Sequence, residues 1–119
     1  MKIKIFDSEL KVMEVLWEKG ETTAGQIVRI LKEQTGWNPN TTYTVIKKLI
    51  GKNAIERVEP GFNCRALVAK KEVRQYEAEE LMGKLFNNSA EVFLSAFLSG
   101  KELSVEEINR LKLLVENLK

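Results

Sequence analysis

The chain has 119 residues, 44% hydrophobic and 30% charged with a formal net charge of +2, which is the usual composition of one compact domain. It contains no histidine, one aspartate (Asp7) and one cysteine (Cys64), so His-dependent triads, most zinc sites and an internal disulfide are excluded. No enzyme, metal site or cofactor is therefore expected. Cys64 is predicted to be a small core residue rather than a redox sensor, because no second thiol is available.

No membrane partner is expected either. The longest strongly apolar stretch, residues 92–98, is far short of the roughly 20 residues that a membrane helix needs. The amino terminus also lacks the apolar run of a signal peptide. We therefore expect a soluble protein in the cytoplasm.

Charge divides the chain into two parts. Residues 1–70 have 12 Lys and Arg against 8 Asp and Glu, a net charge of +4, whereas residues 71–119 have 7 against 9, a net charge of −2. A basic front part favours an anionic ligand, and an acidic back part favours contact with a protein. We predict two regions with different partners, divided at residue 70.

Two amphipathic helices are predicted in the first third of the chain. The first ends at Gly20, and Asp7 is its candidate amino-terminal cap. The second starts at Thr22 to Thr23, where Thr23 and Gln26 have the spacing of a capping box, and it continues until Gly36.

A third helix, over residues 39–52, is the one on which the functional prediction depends. Asn38 is its candidate cap, and Pro39 takes the first helical position, where its missing N–H costs nothing. At about 100° per residue, four side chains share one arc and are expected to face the core. They are Thr42, Val45, Ile46 and Leu49.

The opposite face of this helix combines short hydrogen-bonding side chains near its amino end with cations further along, and it contains no carboxylate. Its members are Asn40, Thr41, Tyr43, Thr44, Lys47 and Lys48. Such a surface suits DNA, because small polar groups at a helix amino end can enter the major groove while lysines bind phosphates. The alternative interpretation is an ordinary solvated helix face.

Two short strands, residues 54–58 and 64–68, are predicted around a turn at 59–62. Three helices followed by a hairpin indicate a winged helix-turn-helix, so the predicted fold is mainly α with a small β-hairpin wing and a helical dimerisation region behind it. Arg57 and Arg65 lie on the two strands. Because a wing of this kind normally follows the sugar-phosphate backbone, both are candidate phosphate contacts; the alternative is that they are ordinary surface arginines.

Residues 71–119 are predicted to form three helices. The first covers residues 71–86 and ends at a break over 87–89. Ser89 caps a short, very apolar helix that ends at 99–100, and Ser104 opens the last helix with a capping box.

These three helices carry more large apolar side chains than so few residues can enclose, and exposed patches of that kind usually mark an interface. A symmetric homodimer is the economical solution. The alternative is that the helices fold back onto the winged helix of the same chain. The candidate dimerisation residues are Leu81, Leu85, Phe93, Phe97, Ile108, Leu111, Val115 and Leu118.

Four segments carry a resemblance to a known family. They are DSELKVMEVLW at 7–17, WNPNT at 37–41 with KKL at 47–49, LFNNS at 85–89, and LSVEEI at 103–108 with LK at 111–112. With these segments in this order, the chain resembles the penicillinase-repressor and methicillin-resistance-repressor family (the BlaI/MecI type) over nearly its whole length. The resemblance implies a homodimeric winged-helix repressor that binds a palindromic operator and blocks transcription, with the third helix reading bases.

The resemblance also implies individual contacts. In the family the third helix has a Pro-x-Thr start and a second threonine three residues after the first, which Pro39, Thr41 and Thr44 match, so these two threonines are implied DNA contacts. The wing departs from the family pattern of Gly-Arg followed by alternating aromatics and a proline, because residues 61–67 read GFNCRAL. The Cys-x-Cys pairs of the copper-responsive branch are also missing from this chain.

The inducing signal stays open at this stage. The β-lactam-responsive members of the family are cut within their dimerisation helices at an Asn-Phe bond, and the matching place here is Ala96-Phe97. A regulatory protease is therefore a candidate partner, beside double-stranded operator DNA and a second copy of the chain. The competing functional hypothesis is a winged-helix protein-interaction module, which predicts no salt-dependent affinity for duplex DNA.

Overall fold

The computed structural model describes residues 3–118, which form six helices and a three-stranded antiparallel sheet. The helices are α1 (Asp7–Lys19), α2 (Ala24–Thr35), α3 (Pro39–Gly51), α4 (Lys70–Leu85), α5 (Ala90–Leu98) and α6 (Val105–Glu116). The strands are β1 (Thr22–Thr23), β2 (Ile55–Val58) and β3 (Asn63–Ala66), in the order β1-β3-β2. The predicted fold class, a winged helix-turn-helix followed by a helical region, is confirmed.

The chain divides into two compact units, which we call the front unit and the back unit. The front unit ends at Glu80 and the back unit begins at Leu81, so the division falls inside α4. The buried side chains of residues 3–118 all lie in the front unit, where α1, α2, α3 and the sheet enclose one apolar core. Its largest fully buried apolar members are Ile5, Met13, Ile27, Leu31, Ile46, Leu49 and Ile55.

Helix α1 begins differently from the prediction, and the assignment of Asp7 as its cap is wrong. Phe6 takes the cap position with an extended backbone, and Asp7 is the first helical residue. The N–H of Phe6 donates to Oε1 of Glu9 at 2.9 Å, because a side chain three residues into a helix can reach back to the cap. The same oxygen lies 2.7 Å from Nζ of Lys52, so the nearly buried Glu9 joins the start of α1 to the end of α3. The predicted stop at Gly20 is confirmed.

The start of α2 is confirmed and does more than predicted. Oγ1 of Thr23 accepts a hydrogen bond from the N–H of Gln26 at 3.2 Å, and Oε1 of Gln26 accepts one from the N–H of Thr23 at 3.3 Å. Thr22 and Thr23 also form β1, in which Thr22 pairs with Cys64 of β3. This pairing was not predicted, because two residues are too few to show an alternating pattern. It attaches the wing directly to the helix-turn-helix.

The lone cysteine is in the core, as predicted. Cys64 is fully buried and free, and burial raises the pKa of its thiol to about 11. The cross-strand neighbour of Cys64 on β2 is Arg57.

The back helices follow the predicted caps closely. α4 starts one residue earlier than predicted, and its end is followed by Asn87 and Asn88 with φ of 49° and 60°, a left-handed conformation that asparagine tolerates. The Ser89 and Ser104 hydroxyls each accept the N–H three residues on, at 3.1 Å. Within residues 3–118 there is no helix both long and apolar enough to cross a bilayer.

Candidate nucleic-acid interface

Helix α3 is fixed in place by its inner face. Oδ1 of Asn38 accepts the N–H of Thr41 at 2.9 Å and caps the helix, and Pro39 follows at the first position as predicted. The four side chains predicted to face the core are 7% exposed or less, which confirms the assignment of the helix faces. Burial of the inner face therefore fixes the orientation of the outer face of α3.

The outer face of α3 is open to solvent. The side chains of Asn40, Thr41, Thr44, Lys47 and Lys48 are exposed, and α3 contains no carboxylate. Lys47 and Lys48 have no carboxylate partner within residues 3–118. The electrostatics of this surface therefore favour an anion.

The two threonines of this face use their hydroxyl hydrogens within the helix. Oγ1 of Thr44 donates to the carbonyl of Asn40 at 2.8 Å, and Oγ1 of Thr41 donates to Oδ1 of Asn38 at 3.2 Å. Both side chains are exposed, and their hydroxyl oxygens keep lone pairs that can accept a hydrogen bond. In the major groove these side chains match the amino groups of adenine and cytosine and the methyl group of thymine.

Tyr43 differs from the other candidate residues of α3, because it is half-buried and faces the wing. Its ring centroid lies 6.1 Å from that of Phe62, with the planes tilted by 47°. The structure therefore places Tyr43 between the helix and the turn of the hairpin, whereas the sequence had grouped it with the open face.

Both candidate arginines of the wing are exposed, and each has a carboxylate partner. Arg57 pairs with Glu59, and Arg65 pairs with Glu56 on the neighbouring strand. These glutamates were missed by the sequence analysis, although the hairpin register that places Glu56 opposite Arg65 could have indicated one of them. The free wing is therefore close to neutral at its tip.

Phe62 anchors the turn of the wing. Its carbonyl accepts the N–H of Ala24 at the start of α2 at 3.0 Å, and its own N–H donates to Oε1 of Glu59 at 3.1 Å. That N–H, and after it the guanidinium of Arg57, lower the pKa of Glu59, so this carboxylate is charged at neutral pH. The guanidinium of Arg57 lies over the Phe62 ring, 3.7 Å from its centroid.

Comparison with known families identifies the chain more directly. The sequence model of the penicillinase repressor family matches residues 5–117. The chain belongs to this family. The family is one of repressors and not of enzymes, and the resemblance noted in the sequence is confirmed.

Two relatives show how far the family likeness extends. The penicillinase repressor of Bacillus licheniformis is 26% identical over 118 residues, which cover 98% of this chain and 92% of that protein. The methicillin resistance regulatory protein MecI of Staphylococcus aureus strain N315 is 25% identical over 111 residues, which cover 92% and 90%. The likeness thus includes the back unit as well as the winged helix.

Solved structures resemble part of the chain. The solution structure of the DNA-binding domain of the repressor BlaI has a TM-score of 0.55 and 28% identity, and covers 60% of this chain and 93% of that domain. The monomeric form of Bacillus licheniformis BlaI in complex with the blaP half-operator has a TM-score of 0.53 and 24% identity, and shows the same fold.

The candidate dimerisation residues of this chain all lie in the back unit, which includes the end of α4. Six of the eight are between 39% and 72% exposed, and Phe93 and Leu111 are half-buried. Phe93 packs between Phe86 and Phe97, with ring centroids 5.2 and 5.7 Å apart. No described residue of α5 or α6 is buried. The single chain therefore leaves these side chains without full cover.

Proposed function

We propose that this protein is a homodimeric transcriptional repressor that binds a palindromic DNA operator with α3 in the major groove. The observation that carries the proposal is the outer face of α3, which is polar, cationic and free of carboxylates on a helix whose inner face is locked into the core. Membership of the repressor family supports the proposal, and so does the structure of Bacillus licheniformis BlaI in complex with the blaP half-operator.

The residues of the outer face have different tasks in this proposal. Asn40 offers both a donor and an acceptor, which suits a bidentate contact with adenine, and Thr41 and Thr44 offer oxygen acceptors to base amino groups. Lys47 and Lys48 lie one to two turns further along and bind phosphates. Base contacts select the sequence, whereas phosphate contacts add affinity for any duplex.

The wing contributes phosphate contacts through Arg57 and Arg65. Each guanidinium must exchange its glutamate for a phosphate oxygen, and such exposed ion pairs are weak enough for this exchange to be cheap. Tyr43 supports the wing through Phe62. We therefore assign Tyr43 to the same interface as the wing arginines.

The back part of the chain supplies the dimer in this proposal. We propose a DNA-binding region over residues 1–70 and a dimerisation region over 71–119, although Val73 of α4 is buried with the front unit. Burial of the apolar surface of α5 and α6 against a second copy would hold two winged helices on half-sites about one helical turn apart. Two linked half-sites then bind far more tightly than one.

Release of repression is proposed to differ from that in the Asn-Phe repressors. Ala96 replaces asparagine at the matching bond and lies within α5, where its carbonyl accepts the hydroxyl of Ser99 at 3.1 Å. Alanine lacks the amide that a protease pocket could bind, and a site built for a polar group discriminates strongly against its absence. A protease of the Asn-Phe type is therefore expected to cut this chain poorly.

The proposal is tested by selecting bound sequences from random duplexes and measuring affinity by fluorescence anisotropy at several salt concentrations. Thr44→Ala should change the preference at one or two operator positions, at a cost of about 1–3 kcal/mol. Lys47→Ala should weaken all sequences alike and lower the salt slope by about one unit. Lys11→Ala, an exposed lysine on α1, is the matched control and should change neither. A parent protein without salt-dependent duplex binding would contradict the proposal and favour a protein-interaction module.

A further inference from the structure

Phe62 has a backbone conformation that a bulky residue rarely adopts. Its φ is 52°, directly after Gly61 with φ of 90°, so two successive residues of the wing turn have left-handed φ values. Glycine adopts this conformation without cost, whereas an aromatic residue strains against its own backbone. Strain of this kind persists where the surroundings enforce it, and it is concentrated at functional sites.

The contacts of Phe62 separate into two kinds. Its carbonyl and N–H bind Ala24 and Glu59, and any residue at this position could make these bonds. The ring contacts with Arg57 and Tyr43 require an aromatic side chain. The ring contacts are therefore what an aromatic residue adds at this strained position.

The ring connects the two elements of the DNA-binding surface. One side of the contact is Tyr43 of α3, with ring centroids 6.1 Å apart, and the other is the Arg57 guanidinium, 3.7 Å from the Phe62 centroid. A guanidinium stacked on a ring keeps its N–H groups at the edge free to bind anions. The Phe62 ring thereby links Arg57 of the wing to Tyr43 of α3.

We propose that Phe62 is a positioning residue for Arg57, so that the wing and α3 bind neighbouring phosphates of one operator as a single unit. The proposal rests on the proposed function and adds to it a residue that acts through another. Glu59 completes the arrangement, because it pairs with Arg57 in the free protein and a phosphate oxygen takes its place on DNA. The wing then adds affinity only where a phosphate lies at the distance that the stack sets.

Coupling between Phe62 and Arg57 tests this proposal, with the full-length protein and its selected operator duplex. Arg57→Ala should lower the slope of log K against log salt concentration by about one unit. Phe62→Gly relieves the backbone, keeps both main-chain bonds and removes the ring, and it should give at least half of that loss. In the Phe62→Gly background, Arg57→Ala should lower the slope by no more than half of what it does in the parent. Phe62→Trp keeps an aromatic ring at this position and should leave the salt slope at its parent value.

Arg65 is the matched control, because it lies on the same hairpin, pairs with Glu56 and has no aromatic ring against it within residues 3–118. Arg65→Ala should have the same effect in both backgrounds. If Phe62→Gly unfolds, Phe62→Leu keeps apolar bulk without an aromatic face and should show the same coupling. Additive effects of Phe62→Gly and Arg57→Ala, or a reduced effect of Arg65→Ala, would overturn the proposal. A parent that binds no DNA would instead overturn the proposed function.

Discussion

The front unit buries its large apolar side chains, whereas the back unit leaves many of its own exposed. In the front unit large side chains such as Met13, Ile27 and Leu49 are fully buried within one chain. In the back unit α5 and α6 have no buried residue, and the exposed large apolar side chains of residues 3–118 lie at Leu81 or beyond, apart from Phe6 and Leu67. One unit encloses an apolar core, and the other leaves its apolar surface exposed within the single chain.

The contrast assigns different sources of stability to the two units. Each square ångström of apolar surface removed from water contributes roughly 25 cal/mol, so the front unit gains this within the chain, and in the proposed dimer the back unit gains it on association. Under the proposal of a homodimer, we expect folding of the back unit to be coupled to assembly and to depend on protein concentration. Under the same proposal, we expect the outer face of α3 to stay intact whether or not the dimer forms, and only the affinity that comes from two half-sites to depend on assembly.

The largest expected effect comes from separating the units. A chain that ends after Glu80 keeps the core and the contacts that hold α4 on α1, including the ion pair between Nζ of Lys70 and Oε2 of Glu14 at 3.1 Å. It should remain folded and monomeric, and its operator affinity should fall by roughly 10²–10⁴-fold, because the second half-site is no longer tethered. Circular dichroism and anisotropy measure the two outcomes.

The matched control for this separation is a chain that ends after Leu67, which loses Val68 and Val73 from the core and should unfold at a lower temperature. Operator affinity of the Glu80 chain equal to that of the parent would show that the back unit has no part in DNA binding.

A point substitution tests the same contrast inside the back unit. Leu111 lines an apolar groove of α5 and α6, and Leu111→Asp would place an unpaired charge in the proposed interface. Sedimentation should show a dimer for the parent and a monomer for the variant at micromolar concentration, with dimer affinity lower by on the order of 100-fold. Asn109→Asp adds the same charge to an exposed position of α6 and should remain a dimer. A monomeric parent would contradict the prediction.

The parts of the fold that depend on one helix at a time could be predicted from the sequence. Helical periodicity gave the two faces of α3, since a side chain's direction on a helix follows from its position alone. The capping box at Thr23 and the caps at Ser89 and Ser104 were predicted for the same reason, because each joins residues three apart.

The parts that depend on distant residues could not be predicted. Strand β1 exists because Thr22 meets Cys64 of the hairpin, and no local pattern indicates this pairing. The pairing of each wing arginine with a glutamate, and the left-handed backbone of Phe62, also follow from how the hairpin packs. Asp7 was predicted to be a cap because of its residue type, whereas the side chain of Glu9, within the helix, accepts the N–H of the residue at the cap position.

The Ala96-Phe97 bond allows a smaller test of the back unit, in which the rate of cleavage by a protease is measured instead of dimer assembly. A protease that acts on the Asn-Phe repressors should leave the parent largely intact, and Ala96→Asn should be cut about tenfold faster, the size of effect expected from one added hydrogen bond. Mass spectrometry of the fragments measures both rates. Ala96→Ser, which adds a polar group without the amide, is the control and should behave as the parent does. Equal cutting of parent and Ala96→Asn after residue 96 would contradict the prediction.

The smallest expected effect tests whether the front unit is stable independently of assembly. Oγ1 of Thr42 is buried without a hydrogen-bond partner among the described residues, so Thr42→Val replaces an unsatisfied hydroxyl with a methyl group of similar size. The variant should be more stable by about 1 kcal/mol. Urea unfolding followed by the fluorescence of Trp17 and Trp37, the only two tryptophans, reports on the front unit alone.

The matched control is Thr44→Val on the outer face of the same helix, which loses an exposed oxygen and should change the stability of the front unit little while weakening operator binding by about 1–3 kcal/mol. Thr42→Val should bind the operator as the parent does, because its side chain lies in the core. Its gain in urea midpoint should also be the same at low and high protein concentration. A gain that grew with concentration would show that the front unit depends on the dimer, and the contrast between the two units would then fail.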